Sequence, residues 1–203
     1  MIDLPTRATG GGARGEAAAM PPIVRIVAIS GSLRRASINT ALLEEIAALA
    51  PAGVVVEMVS PGALPLFNPD LESDLPPTVR TFRERIAAAD ALLIASPEYA
   101  HGVSGVIKNA LDWLVSSEHF AGKPVAVLNA AARAHHADAA LREILSTMSA
   151  RIVDDASVTV CPPITGPLAA PSRARVREDL TAVLSALTTA VHQMQGSKTA
   201  RIV

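Results

Sequence analysis

Five stretches of this chain are apolar almost without interruption, and helix-patterned segments separate them. The first, residues 23–29, reads Ile-Val-Arg-Ile-Val-Ala-Ile, a β-branched run with a single polar break. Such runs belong to strands buried on both faces, as in a parallel sheet covered by helices. Residues 54–59, 91–95 and 124–128 repeat the pattern, and residues 152–160 supply a fifth strand with an interruption expected at Asp154-Asp155. Between the first two strands, residues 38–50 place Leu42, Leu43, Ile46, Ala47 and Leu49 at helical spacing, and Pro51 ends the run. Further helices are expected over 78–89, with Arg80, Arg83, Glu84 and Arg85 on a charged face, over 104–115, over 134–150 and over 172–195. Ser104 and Ser172 stand where N-caps belong. Residues 64–77, with prolines at 65, 69, 76 and 77, read as a long loop.

The order is βαβαβαβαβα. Strict alternation implies an α/β protein with a parallel sheet between two helical layers. Five strands in this length fit a flavodoxin-like three-layer sandwich, a five-stranded parallel sheet in the order 2-1-3-4-5, better than a six-stranded dinucleotide fold. In such sheets ligands bind beyond the strand C-termini where the strand order reverses, between strands 1 and 3. Residues 23–195 form this one domain. Residues 1–22, rich in Gly, Ala and Pro, read as a disordered leader, and 196–203 as a C-terminal tail.

Composition narrows the classes. A chain of 203 residues, 50% of them hydrophobic, suits one domain with a sizeable core. A net charge of −1 provides no global field for nucleic acid or an anionic membrane. Arg173, Arg175 and Arg177 make the nearest basic patch and read as the solvated start of a helix. The single cysteine, Cys161, fits a reducing, cytoplasmic setting. No apolar run approaches the roughly 20 residues of a membrane span.

Candidate chemistry concentrates in the loops after strands 1 and 3. The first reads Ser30-Gly31-Ser32-Leu33-Arg34-Arg35-Ala36-Ser37-Ile38-Asn39-Thr40. Its short polar side chains Ser30, Ser32, Ser37, Asn39 and Thr40 precede or open a helix, whose free N–H groups and positive dipole end favour an anion. Arg34 or Arg35 adds a charged fork. The loop has neither the P-loop nor the Gly-x-Gly-x-x-Gly pattern, so the anion is not read as a nucleoside triphosphate or a conventionally bound dinucleotide. Helix capping alone would account for Ser37 and Asn39 but not for Ser30 and Ser32 directly after a buried strand. The second loop, Ser96-Pro97-Glu98-Tyr99-Ala100-His101-Gly102, holds the chain's one tyrosine and suits a planar heterocycle, which needs an apolar surface and backbone donors. On the next helix, Lys108 and Asp112 are four apart and can pair, and Trp113 reads as core or subunit contact.

Taken together, Gly31-Ser32-Leu33-Arg34-x-x-Ser37-x-Asn39, Pro97-Glu98-Tyr99 and residues 105–113 (Gly-Val-Ile-Lys-Asn-Ala-Leu-Asp-Trp) resemble the NADPH-dependent FMN reductase family, flavodoxin-like flavoproteins that include quinone, azo-dye and chromate reductases. The resemblance implies that FMN is the bound cofactor and NADPH or NADH the reductant. A hydride would pass to N5 of FMN and the electrons on to a quinone, flavin or similar small-molecule acceptor, with no catalytic side chain required. It also implies a homodimer or homotetramer; the charge and the lack of a membrane-length run separately lead to no nucleic-acid or membrane partner being expected. Ser30, Ser32, Arg34, Ser37, Asn39 and Thr40 would hold the phosphate, and Pro97, Glu98, Tyr99 and His101 would border the ring, largely through backbone atoms. Arg34, Arg35 and Arg133 are candidates to meet a nicotinamide phosphate. Two departures from the family stand out: Ala100 follows Tyr99 where Asn is frequent, and the loop after strand 4 reads Asn129-Ala130-Ala131-Ala132-Arg133-Ala134-His135-His136 instead of a Ser- and Gly-rich sequence. Asn129 would still donate to the ring there, with Ala130 and Ala131 offering backbone N–H groups.

Other classes fare less well. A one-electron flavodoxin carrier would have an acidic docking surface and aromatics flanking the flavin, whereas this chain has net charge −1, one Tyr, one Trp and three Phe. A serine hydrolase would need Gly-x-Ser-x-Gly, and Gly102-Val103-Ser104-Gly105 lacks it. A metal site on His135-His136 is disfavoured, since adjacent helical residues point about 100° apart.

Overall fold

The structure, a computed structural model, describes residues 23–160 and 170–199. Its elements are β1 (Val24–Ser30), α1 (Ile38–Leu49), β2 (Val54–Val59), α2 (Pro77–Ala88), β3 (Ala91–Ala95), β4 (Glu98–Tyr99), β5 (Gly102–Val103), α3 (Gly105–Asp112), β6 (Pro124–Leu128), α4 (His135–Thr147), β7 (Arg151–Ile152) and α5 (Ala170–Thr199). Five strands form one parallel sheet ordered β2-β1-β3-β6-β7. With the short β4–β5 hairpin set aside, this is the expected order 2-1-3-4-5.

The period-2 geometry of a strand sends alternate side chains to opposite faces, which explains why these strands are apolar throughout. Ile26 and Ala28 of β1, Leu93 of β3 and Ala126 and Leu128 of β6 bury against Leu42, Leu43 and Ile46 of α1 and Leu180, Leu184 and Leu187 of α5. Val27 and Ile29, Leu92 and Ile94, and Val125 and Val127 bury on the other face against Phe82 and Ile86 of α2, Ile107 and Leu111 of α3, and Leu141 and Leu145 of α4. Both faces are covered, so the chain forms the three-layer sandwich. An Arg177–Glu45 ion pair fastens α5 to α1.

Several boundaries differ from expectation for local reasons. The fifth strand is short: after Arg151–Ile152 a 3-10 turn at Asp154–Ala156 interrupts it, and pairing resumes only as a bridge between Asn129 and Thr159. Arg142 holds this detour, its guanidinium donating to Asp138, Asp154 and the Ser157 carbonyl. The final helix begins at Ala170, so Ser172 lies inside it and is not its N-cap, and it runs through Gly196 to Thr199, four residues into the stretch read as a tail. Ser104 does cap α3, accepting from the Ile107 N–H at 3.3 Å, and Lys108 pairs with Asp112 at 2.5 Å. Residues 1–22 and Cys161 lie outside the described residues.

The proline-rich loop before α2 contains one 3-10 turn, Pro69–Leu71, and is held by α3. Asn109 accepts from the Phe67 N–H at 2.8 Å and donates to the Pro65 carbonyl at 2.9 Å; the Trp113 indole N–H donates to the same carbonyl at 2.8 Å. Trp113 is fully buried, and its ring meets the edge of Phe67 at 5.0 Å. It is therefore a core residue.

Gly31 marks the tightest junction in the fold. A Cβ there would stand 2.6 Å from Ile107 Cγ1, 2.7 Å from Ser104 Oγ and 2.9 Å from Ser96 Oγ. Gly31→Ala is expected to cost about 1–3 kcal/mol of stability, as overpacking of a close-packed site does. Urea denaturation measures it, and an unchanged midpoint would contradict the close approach.

Candidate functional site

β1 and β3 are neighbours in the sheet, and their chain continuations part in opposite directions, one to α1 and the other to the β4–β5 hairpin and α3. A cavity of about 350 Å³ opens at this divergence, lined by Ile38, Asn39, Ser96, Pro97, Glu98, Asn129, Ala130, Ala131, Arg133 and Ala134. Three loops wall it: those after β1, β3 and β6. Its size lies within the range for small-molecule sites.

The loop after β1 is organised by its hydroxyls. Ser30 Oγ and Thr40 Oγ1 are hydrogen-bonded at 2.8 Å across the loop ends. Ser30 Oγ also accepts from the Ser32 N–H at 3.3 Å, and Ser32 Oγ from the Arg34 N–H at 3.3 Å. Ser37 caps α1, accepting from the Thr40 N–H at 3.2 Å. Ser30 and Ser32 therefore have structural work as well, in the loop and not as helix caps. A serine hydroxyl that accepts from a backbone N–H still has its own proton to donate, so Ser32 and Ser37 retain a donor for an anion at the α1 N-terminus.

Asn39, in the first turn of α1, is buried, and its Oδ1 is the one buried side-chain oxygen or nitrogen without a hydrogen-bond partner among the described residues. An orphaned buried acceptor costs on the order of 1–3 kcal/mol. Asn39 also contributes to the cavity lining.

The second wall is a hairpin, which the sequence reading missed. Glu98–Tyr99 pairs antiparallel with Gly102–Val103, and the turn residues Ala100 and His101 both have positive φ, 49° and 58°. Two-residue hairpins of type I′ require this conformation, and Asn-Gly, not Ala-His, is its usual signal. Glu98 does more than offer backbone: its carboxylate accepts from the Ala137 N–H at 2.9 Å. That caps α4 from a distant loop, since Ala134 at the N-cap has no side chain to do so. The Ala137 bond, opposed by desolvation and aided by His136 and His101, holds the Glu98 carboxyl below its usual value. His101 also stacks on His136 at 4.3 Å, and His136 meets His135 at 4.1 Å. The adjacent imidazoles thus do come together, in a row that binds hairpin to helix; among the described residues no group of three His, Cys, Asp or Glu is placed to hold a metal.

The third wall follows β6. Asn129 accepts from the Ala131 N–H at 3.0 Å and donates to the Ala134 carbonyl at 3.2 Å. Its amide therefore ties its own loop, and the Ala131 N–H expected to serve a ligand is taken.

Of the residues expected to bind, Asn39, Pro97, Glu98 and Asn129 line the cavity; Ser30, Ser32, Arg34, Ser37 and Thr40 build or flank the loop at the α1 end. Tyr99, 59% exposed, and His101 lie on the hairpin outside the lining. Ile38, Ser96 and Ala134 line it unexpectedly. Ser96 was findable, since it follows β3 as Ser30 ends β1. Ser104, almost wholly buried, is no exposed nucleophile.

The model of the NADPH-dependent FMN reductases matches residues 24–161. The chain belongs to that family. Among its curated relatives are an NAD(P)H-dependent FMN reductase of Pseudomonas aeruginosa, 46% identical over 112 residues (54% of this chain and 60% of the relative), and a 2-hydroxy-1,4-benzoquinone reductase of a Burkholderia species, 43% identical over 108 residues (52% and 59%). The matches to these relatives span about three fifths of their length. In structure it is similar to FerB, a flavoenzyme NAD(P)H:(acceptor) oxidoreductase of Paracoccus denitrificans, with TM-score 0.66 and 26% identity over 82% of this chain and 98% of that one. The FMN reductase match takes in all three walls of the cavity.

Two expectations test the hairpin wall. Ala100→Asn relieves a left-handed alanine and should raise stability by about 0.5–1 kcal/mol; a lowered urea midpoint would count against the turn geometry. Because the folded Glu98 carboxyl is depressed, its contribution is present above the usual value of 4.5 and is lost as pH falls through the lowered folded value. Glu98→Gln should thus be less stable than the parent at neutral pH, with the difference closing below pH 4.5. A gap that persists unchanged into acid would refute the charged cap.

Proposed function

We propose that the chain is an FMN-dependent NAD(P)H oxidoreductase that passes a hydride from NAD(P)H through FMN to a quinone, flavin or similar acceptor. The observation that carries this is a cavity at the strand-order reversal, beside the N-terminus of α1, lined by Asn39, whose buried Oδ1 has no hydrogen-bond partner. FMN suits that donor set: a phosphate for the helix terminus, ribityl hydroxyls for an orphaned acceptor, and a planar ring for walls of small side chains.

The Ser32 and Ser37 hydroxyls and the first-turn N–H groups of α1 would hold the phosphate, and Asn39 a ribityl hydroxyl. Pro97 and Ala130 would border the ring, with Glu98 fixing the hairpin to α4 and Asn129 fixing the third loop. When bound, FMN would supply the redox chemistry, two-electron transfer between the nicotinamide and the acceptor. The protein orients, excludes water and supplies no nucleophile. Overall, NAD(P)H, one solvent proton and a quinone give NAD(P)⁺ and the hydroquinone.

The quinone and flavin acceptors follow the names of the relatives, which are FMN and quinone reductases. A cytoplasmic setting accords with the single cysteine, and among the described residues no helix is long and apolar enough to cross a membrane. A homodimer or homotetramer accords with the exposure of Leu66 and Val115.

The purified protein, supplied with FMN, should retain a yellow chromophore that NADPH or NADH bleaches and a quinone restores. Asn39→Ala should weaken FMN retention about tenfold, the effect of removing one buried hydrogen bond. A protein that takes up no FMN and oxidises neither nicotinamide would refute the assignment.

A further inference from the structure

Three cations on the loops after β1 and β6 are left without an opposite charge. Arg34, Arg35 and Arg133 make no ion pair among the described residues, whereas Arg83, Arg142 and Arg177 elsewhere do. The acids of the same region are engaged: Glu98 with the Ala137 N–H, and Asp138 with Arg142 at 2.9 Å. Arg34 and Arg35 are exposed on the loop after β1, at the phosphate end, and neither lines the cavity. Arg133 lines it, on the Asn129–Ala134 wall.

Its backbone there is fixed. Its carbonyl accepts from His135 Nδ1 at 3.2 Å, and the Asn129 amide bridges the loop on either side, to Ala131 and to Ala134. Flanked by alanines, the guanidinium is the one side chain of residues 130–134 able to make a charged contact. An unpaired guanidinium presents a planar fork of donors, which carboxylate and sulfonate groups match.

We infer that Arg133 selects the electron acceptor, favouring quinones that carry a negative substituent (a carboxylate, a sulfonate or an ionised hydroxyl) over neutral ones. This rests on the function proposed above. The substituent is a spectator: the quinone carbonyls take two electrons and two protons, supplied as a hydride from NAD(P)H and a proton from solvent, while the anion stays paired with Arg133.

The test compares FMN-loaded parent, Arg133→Gln and Arg151→Gln, the last removing an exposed cation on β7 that lies outside the cavity lining. The acceptors are a benzoquinone carboxylate and its methyl ester. At low salt, R133Q should lower the carboxylate-to-ester ratio of kcat/KM about tenfold, and calorimetric binding of the carboxylate to the oxidised protein should weaken by a similar factor. Both effects should shrink in high salt, and R151Q should keep the parent ratio. The inference is overturned if the parent shows no preference, if the ratio is unchanged in R133Q or falls equally in R151Q, or if R133Q alters only FMN retention or the KM for NADPH. A parent protein that never becomes yellow instead refutes the proposed function, before any acceptor is added.

Discussion

The end of β1 has no room for a side chain. At Gly31 the backbone N–H reaches the Ala95 carbonyl at 2.7 Å, and the space of a Cβ is taken by Ile107 of α3, Ser104 at its cap and Ser96 at the end of β3. The first two walls of the cavity are therefore locked together at one point. The loop after β1 leaves Gly31 toward α1, and the hairpin leaves Ser96 and Pro97 toward α3. Because β1 and β3 are neighbours whose helices cover opposite faces of the sheet, the chains must separate there, and the separation is the cavity. Topology places the gap, and the close approach at Gly31 joins the two chains where they begin to part.

A second coupling fixes the walls to each other away from that contact. Glu98 belongs to the hairpin, yet it satisfies the first turn of α4, and His101 lies on His136. The hairpin is only two residues per strand, which is too little to be stable alone, and its turn holds Ala100 and His101 in left-handed backbone. Docking onto α4 offsets that strain. The α4 N-terminus in turn lacks a cap of its own, so each element supplies what the other is missing.

The architecture was legible because burial on both sheet faces leaves an unmistakable mark: runs such as 23–29 and 91–95, where no polar face is needed. The hairpin was not legible, since neither Ala100 nor His101 belongs to the residues that favour positive φ, and only contact with α4 selects it. The early start of the last helix was hidden by Pro171, which ends helices elsewhere but is tolerated in a first turn. Within the site, Asn39 was read from its place at a helix start, and the structure puts it in the cavity lining with a buried oxygen that has no partner. Tyr99 was read from being the lone aromatic in the right loop, but a residue's loop does not determine which way its side chain faces, and it stands outside the cavity lining. The second function of Glu98 depends on a residue 39 positions away, beyond the reach of any local pattern.

The third wall shows how one geometric requirement can be met with different residues. A loop that must lie close to a flat ligand needs small side chains and a fixed backbone. Glycines provide the first and leave the second to the ligand. Here alanines at 130–132 and 134 provide the first, and the Asn129 amide, bonded to Ala131 and Ala134, provides the second before any ligand arrives. A loop shaped by its own amide has fewer backbone donors to give, as the engaged Ala131 N–H illustrates. Polar recognition on this wall then passes from backbone to side chain, and Arg133 is the side chain among residues 130–134 that can take it up.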